Sequence, residues 1–220
     1  MPGWNNISID ALEGKCPGSP LATPDSAVSP KAIALFESLK RNRLRLVLAE
    51  SCTGGLASGT LAQIPGVSGV LCGAFVVYQT EIKSQWLGIS PPLLKDPTAG
   101  PVSRVVTERL AVAALERTPQ ASIAAAITGH LGPVASSAAG ATPSDAAQPP
   151  ISQIDGQIHI AIAWSSGAGD SAPGKIQTAS MRLAAKSPAD AEDYVSRYDR
   201  QCEAVDLLFG ELLRAIDEAR

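Results

Sequence analysis

Leu44-Arg45-Leu46-Val47-Leu48-Ala49-Glu50-Ser51-Cys52-Thr53-Gly54-Gly55 is the stretch whose reading decides the fold. From Leu44 to Ala49 the run is short, largely apolar and rich in Leu and Val, as in a strand covered on both faces. It empties into a polar turn with two adjacent glycines, and Leu56 to Gln63 then reads as a short helix closed by Ile64-Pro65-Gly66. A buried strand that passes through such a turn into a helix builds an α/β layer fold, with a ligand crevice at the strand's carboxyl end.

The neighbouring sequence extends this unit in both directions. Upstream, Ser29 as cap and Pro30 at the first helical position open a helix to Lys40. Downstream, Val70 to Tyr78 is a second strand, Thr80 to Leu87 a helix stopped by Gly88, and Ser103 to Arg117 a longer helix capped by Ser103. Ala121 to Thr128 reads as a third strand. Ile158 to Trp164 and Ile176 to Leu183 are strands most simply joined as an antiparallel hairpin, and Pro188 to Ala219 is a closing helix. The expected fold is one α/β domain over residues 30–220 with a mixed sheet. Residues 1–29, interrupted by Pro17, Pro20 and Pro24, are expected to be a disordered or extended leader. A low-complexity Ala/Ser/Gly/Pro insertion is expected at about 134–153.

Composition narrows the function classes. The chain has 220 residues, 45% hydrophobic, with 18 basic against 21 acidic side chains and a net charge of −3. That balance attracts neither a polyanion nor an anionic membrane. With 4% aromatic residues there is no base-stacking platform, so no nucleic-acid partner is expected. No apolar run approaches the roughly 18 residues of a membrane helix, and no export signal is visible, so a cytoplasmic location with no membrane association is expected. Cys16, Cys52, Cys72 and Cys202 are widely spaced, and His130 and His159 are the only histidines, so neither a metal site nor a disulfide framework is expected. No cofactor is expected either.

Three residues of the first turn carry nucleophilic atoms: Ser51, Cys52 and Thr53. Ser, Thr and Gly also suit an ordinary capped strand-to-helix turn. The turn lacks the phosphate-loop pattern G-x-x-x-x-G-K-[ST]. Cys52 has no histidine in a recognisable dyad context and reads as structural. Ser51 needs a base, and a desolvated lysine can serve as one. Lys83, just past the second strand, would share a crevice with Ser51 if the two strands are neighbours; its alternative is a solvated helix lysine.

Several segments together resemble the C-terminal domain of the competence/damage-inducible protein CinA. They are Ala49-Glu50-Ser51-Cys52-Thr53-Gly54-Gly55, Pro65-Gly66-Val67-Ser68-Gly69, Val77-Tyr78-Gln79-Thr80-Glu81-Ile82-Lys83, Leu87-Gly88-Ile89 and Thr128-Gly129-His130-Leu131-Gly132-Pro133. The resemblance spans roughly Lys31 to Ala215. It implies a three-layer α/β/α sandwich and a nicotinamide mononucleotide deamidase, with a small-molecule nucleotide as substrate and a homo-oligomer as the assembly. Carried over residue by residue, it gives Ser51 as nucleophile, Lys83 as its base and Tyr78 as a donor to the amide or the lysine, unless Tyr78 is an ordinary end-of-strand aromatic. Glu50, Thr53, Gly54, Gly55, Glu81, Thr128, Gly129 and Gly156 are then expected around the substrate. Backbone donors around Thr53 to Gly55, or Thr128 to Gly129, would hold the oxyanion. In larger relatives a molybdopterin-binding-like domain precedes this one, and residues 1–29 are too short to hold it, so a stand-alone version is expected.

The chain also departs from the family pattern. His130-Leu131 stand where the family has Ile-Ala, and the family's Lys-Pro-Val-Gly stretch is replaced by a longer loop leading to Gly156. A catalytically impaired nucleotide-binding or regulatory homologue, or a Ser/Lys amidase for a different amide, is therefore the alternative. Near the C-terminus Arg197 and Arg200 compete for the family's helix arginine, and both are read as belonging to a solvated face.

Overall fold

The structure is a computed structural model that describes residues 29–132, 154–166, 173–188 and 193–219. The expected leader, apart from Ser29, and the expected insertion lie outside the described residues. The chain begins with α1 (Pro30–Arg41), whose first turn is capped by Ser29 Oγ accepting from Ala32 N. β1 (Leu46–Glu50) follows, then α2 (Leu56–Ala62), β2 (Leu71–Val76), α3 (Thr80–Leu87) and the short α4 (Pro91–Leu94). α5 (Arg104–Glu116) is capped as expected by Ser103 Oγ, and leads to β3 (Ile123–Gly129), β4 (Gln157–Ser165), β5 (Pro173–Arg182) and α6 (Tyr194–Glu218). The closing helix starts later than expected because Asp193, not Pro188, caps it by accepting from Ser196 N.

The five strands form one mixed sheet in the order β2-β1-β3-β4-β5. β1 runs parallel to both β2 and β3, while β3–β4 and β4–β5 are antiparallel. Alternation along each strand divides the core in two. Leu46 and Leu48 of β1, with Ile123, Ala125 and Ile127 of β3 and Ile160 of β4, pack with α1, α2 and α6 on one face. Val47, Ala49, Ala124, Ala126, Ala161 and Ala163 pack with α3, α4 and α5 on the other. Helices on both faces make the three layers.

The strand residues on the α5 face are mostly alanine, so the helix lies close to the sheet, and its own Ala111 and Ala114 are fully buried. Among the described residues no helix is long and apolar enough to cross a membrane, and no group of three or more potential ligand side chains could hold a metal ion.

Candidate active site

Parity along β1 fixes what the polar turn can do. Glu50 shares its face with Leu46 and Leu48, so its side chain enters the core beneath α2 and is fully buried. One carboxylate oxygen accepts from Thr53 Oγ1 at 2.8 Å, Gly55 N at 3.1 Å and Ala57 N at 3.0 Å; the other accepts from Ser58 N at 2.8 Å. The three N–H groups are donors that the start of a helix leaves without intrahelical partners, at its positive end. Gly54 and Gly55 have φ of +61° and +98°, a conformation that bends the chain back over Glu50 and that side chains disfavour.

This network corrects part of the expected substrate shell. Glu50 has no accessible surface and its carboxylate is occupied, so it holds the turn in place rather than touching a substrate. The Thr53 hydroxyl is likewise taken up by Glu50, while Gly54 N donates to Ser51 O at 3.1 Å and Gly55 N to Glu50. Among the described residues no hydrogen bond takes up Cys52 N or Thr53 N, so these two are left as the turn's backbone donors.

Ser51 lies one residue beyond β1, and its N–H still donates to Ile127 O at 3.1 Å, so the ladder continues through it. The same parity that sends Val47 and Ala49 to the α3 and α5 face carries Ser51 there. Lys83 comes from α3 on that face. It is 2% exposed, and its Nζ donates to Pro101 O at 2.7 Å. Burial lowers its pKa from 10.5 to about 8, partly opposed by the nearby Cys52 thiol. Among the described residues no hydrogen bond joins Nζ to Ser51 Oγ directly. The solvated-lysine reading is excluded by the burial. Cys52 fits its structural reading, because burial pushes its thiol pKa up to about 12 and keeps it protonated.

Tyr78 is 53% exposed, and its hydroxyl accepts from Arg197 Nη2 at 2.7 Å. Arg197 Nη1 donates to Gly132 O, so this side chain ties the end of β2 to the segment after β3. Arg200 is 4% exposed and holds Asp155 in a two-pronged pair at 2.8 and 3.0 Å, with Nε donating to Ala185 O. Neither arginine belongs to a solvated face. The Arg200 guanidinium holds the Asp155 carboxyl below its usual pKa, so this pair adds stability that is present above the unfolded value and lost as pH falls through the folded one. Asp155→Asn should destabilise the domain by about 2 kcal/mol near neutral pH and flatten the acid limb below about pH 4, as read by thermal denaturation across pH.

The remaining expected residues divide between packing and surface. Thr107 donates its single hydroxyl proton to Ser103 O at 2.7 Å, so in the 2.8 Å contact between Thr107 and Thr128 the donor is Thr128. Thr128 is fully buried and binds β3 to α5 instead of lining a pocket. A Cβ at Gly129 would lie 2.7 Å from Ile158 Cγ2 and 3.2 Å from Cys52 Sγ. Gly129→Ala should therefore cost about 2 kcal/mol by crowding, measurable by denaturant unfolding. Gly156 has φ +71° and sits against the Arg200 guanidinium, with its N donating to His130 O at 2.8 Å. Glu81 is exposed in the first turn of α3, and the described residues give it no polar contact.

Sequence reasoning missed the Pro101 carbonyl, Thr107 and Gln201, whose Nε2 donates to Cys52 O at 3.1 Å and closes the turn from the α6 side. A backbone carbonyl on a loop leaves no residue-type signal. Thr107, four residues after the Ser103 cap and inside an apolar helix face, did leave one.

Fold and site together define an α/β/α protein with a hydroxyl-bearing turn and a buried amine at the carboxyl ends of two neighbouring parallel strands. The chain belongs to the CinA C-terminal domain family, whose model matches residues 29–144. It is 38% identical over 142 residues to a CinA-like protein of Myxococcus xanthus, covering 64% of this chain and 32% of that one. A CinA-like protein of Mycobacterium marinum is 43% identical over 89 residues, covering 40% and 20%. The chain thus spans a third or less of these relatives. Among solved structures, the competence/damage inducible protein CihA from Agrobacterium tumefaciens matches with a TM-score of 0.58 and 28% identity over 82% of this chain and 92% of that one. A CinA superfamily protein from Klebsiella pneumoniae shares the fold with a TM-score of 0.65 at 21% identity, covering 86% and 96%.

Proposed function

We propose that the protein is an amidohydrolase that converts nicotinamide mononucleotide to nicotinate mononucleotide and ammonia, with Ser51 as nucleophile and Lys83 as base. The observation that carries this reading is the almost complete burial of the Lys83 amine on the face of the sheet to which Ser51 is directed. With a pKa of about 8, roughly a tenth of the amine is neutral at pH 7. Neutral Lys83 takes the Ser51 proton as Oγ attacks the carboxamide carbon. Thr53 N–H supports the developing oxyanion, with the exposed Tyr78 hydroxyl as a second donor. Protonated Lys83 then gives its proton to the departing nitrogen, releasing ammonia and leaving an ester on Ser51. Water attacks that ester with Lys83 again as base, freeing the acid.

Family membership supports the reaction class, since the Ala49-to-Gly55 and Tyr78-to-Lys83 segments both lie inside the matched residues. A cytoplasmic homo-oligomer is the setting this reading implies. Incubation with nicotinamide mononucleotide should release ammonia and nicotinate mononucleotide in equal amounts, and Ser51→Ala should release neither.

A second reading is favoured by one observation: the Lys83 hydrogen bond goes to Pro101 O, not to Ser51 Oγ. If Lys83 stays there when ligand is bound, the protein binds a nucleotide without turning it over. Binding of nicotinamide mononucleotide without ammonia release would select this reading.

A further inference from the structure

A cleft of about 850 Å³ opens between the loop from Asp96 to Ser103, the start of α5 and the ends of β3 and β4. Pro101, whose carbonyl holds the Lys83 amine, forms part of its wall, so the cleft lies next to the candidate catalytic group although Ser51 and Lys83 do not line it. The chain has two histidines and both line this cleft. Sheet register explains why. Thr128 of β3 lies opposite His159 of β4, which lies opposite Ser180 of β5, so the three share the α5 face. His130, two residues beyond Thr128, has the same parity and is the diagonal neighbour of His159.

His159 is 8% exposed and its Nδ1 is fixed 2.7 Å from Ser180 Oγ. Among the described residues its Nε2 has no hydrogen-bond partner, and neither ring nitrogen of His130 has one. The nearby acids are engaged elsewhere. Asp155 is held by Arg200, Asp96 accepts from Thr98 and Ala99, and Glu108 pairs with Arg104 at the rim. A row of basic groups therefore runs from Lys83 through His130 to His159, and among the described residues the carboxylate that acts on His130, Asp155, is itself paired with Arg200.

We propose that this cleft receives the sugar-phosphate half of the nucleotide, with His130 and His159 as its contacts. The inference rests on the proposed deamidase reading, which places the carboxamide at Ser51 and Lys83 and leaves the rest of the substrate to extend past Pro101. An anionic, hydroxyl-rich group suits a wall of imidazole nitrogens, and a phosphate placed there would meet two imidazoles whose pKa is held down first by burial and then by the neighbouring basic groups, so its charge would favour their protonated, donating forms. His130 is also a departure from the family pattern, so it would set a preference particular to this chain. The two histidines are binding and specificity residues, with no part in bond breaking.

Because there are only two imidazoles, their ring-proton NMR signals report on the cleft alone, with His130→Ile and His159→Gln giving the assignment. Ribose 5-phosphate, which cannot be turned over, should move both signals along one saturating curve, while ribose alone should move them far less. In parallel, His130→Ile should raise KM for nicotinamide mononucleotide roughly tenfold and leave kcat within about twofold. Ammonia release from the nucleotide with both imidazole signals unmoved by ribose 5-phosphate would overturn the cleft assignment alone. Moved signals without ammonia release would sink the deamidase reading and keep the cleft as an anion site. Absence of both would remove the two together.

Discussion

Lys83→Met is expected to lower ammonia release by about 10³-fold or more and, in the same protein, to raise Tm. The two effects have one cause. The amine is buried, and its pKa falls from 10.5 to about 8, so in the folded protein the charged form is disfavoured relative to the unfolded chain. Below the folded value both states carry the proton and the folded one bears the whole penalty, about 3 kcal/mol. Between the folded and unfolded values the unfolded chain binds more protons, so wild-type stability climbs as pH rises through that window. Methionine fills the same space without a charge, and loses one hydrogen bond to Pro101 O worth about 1 kcal/mol. The net gain at pH 7 is then about 2 kcal/mol, or about 5 °C in Tm. The difference in Tm between variant and wild type should shrink from pH 8 toward pH 10.5. A variant that lost activity and stability together would assign Lys83 to packing.

Glu50→Ala is expected to have the largest effect on stability, a loss of about 4 kcal/mol. It removes the one acceptor shared by Thr53 Oγ1 and the N–H groups of Gly55, Ala57 and Ser58, beneath a helix where water cannot replace it. Glu50→Gln keeps the shape but turns one acceptor into a donor facing donors, and should lose about half as much. Amide hydrogen exchange separates this from general unfolding. Protection at Gly55, Ala57 and Ser58 should collapse first, while α5, anchored by Ser103 and Thr107, keeps its own. Activity should fall with the turn's protection, because Ser51 and Thr53 N–H are positioned by the same clamp. If Glu50→Gln kept full stability and raised only KM, the residue would belong to the substrate shell after all.

The sequence carried the elements better than the side-chain roles. β1 and its glycine turn, α3 from Thr80 to Leu87, the Ser103 cap and the β4–β5 hairpin were legible because periodicity and capping are local. The adjacency of the first two strands, only a condition in the sequence reading, is present in the sheet. Glu50 was misplaced although its signal was present: it shares parity with Leu46 and Leu48, and a charge at the end of a strand buried on both faces must find donors at once. The turn and the first residues of α2 supply them there. Arg200 carried a similar signal, standing four and eight residues before the buried Ala204 and Leu208 on one stripe of α6. A charged residue on that stripe calls for a buried partner, and Asp155 is it. Which side chain answers across 45 residues of chain is a tertiary fact that no local pattern encodes. The same holds for Pro101 O and Lys83, and for the meeting of His130 with His159, which depends on strand register.

Everything catalytic in this picture depends on the state of a single amine, so its titration is the decisive measurement. With lysine side chains labelled at Cε, the signal absent from Lys83→Met identifies Lys83, and its pH dependence can be followed in the wild-type protein. A midpoint near 8, clearly separated from the other lysines, is the expected result. A midpoint near 10.5, merged with the surface lysines, would show an ordinary ammonium and contradict the assignment of Lys83 as the base.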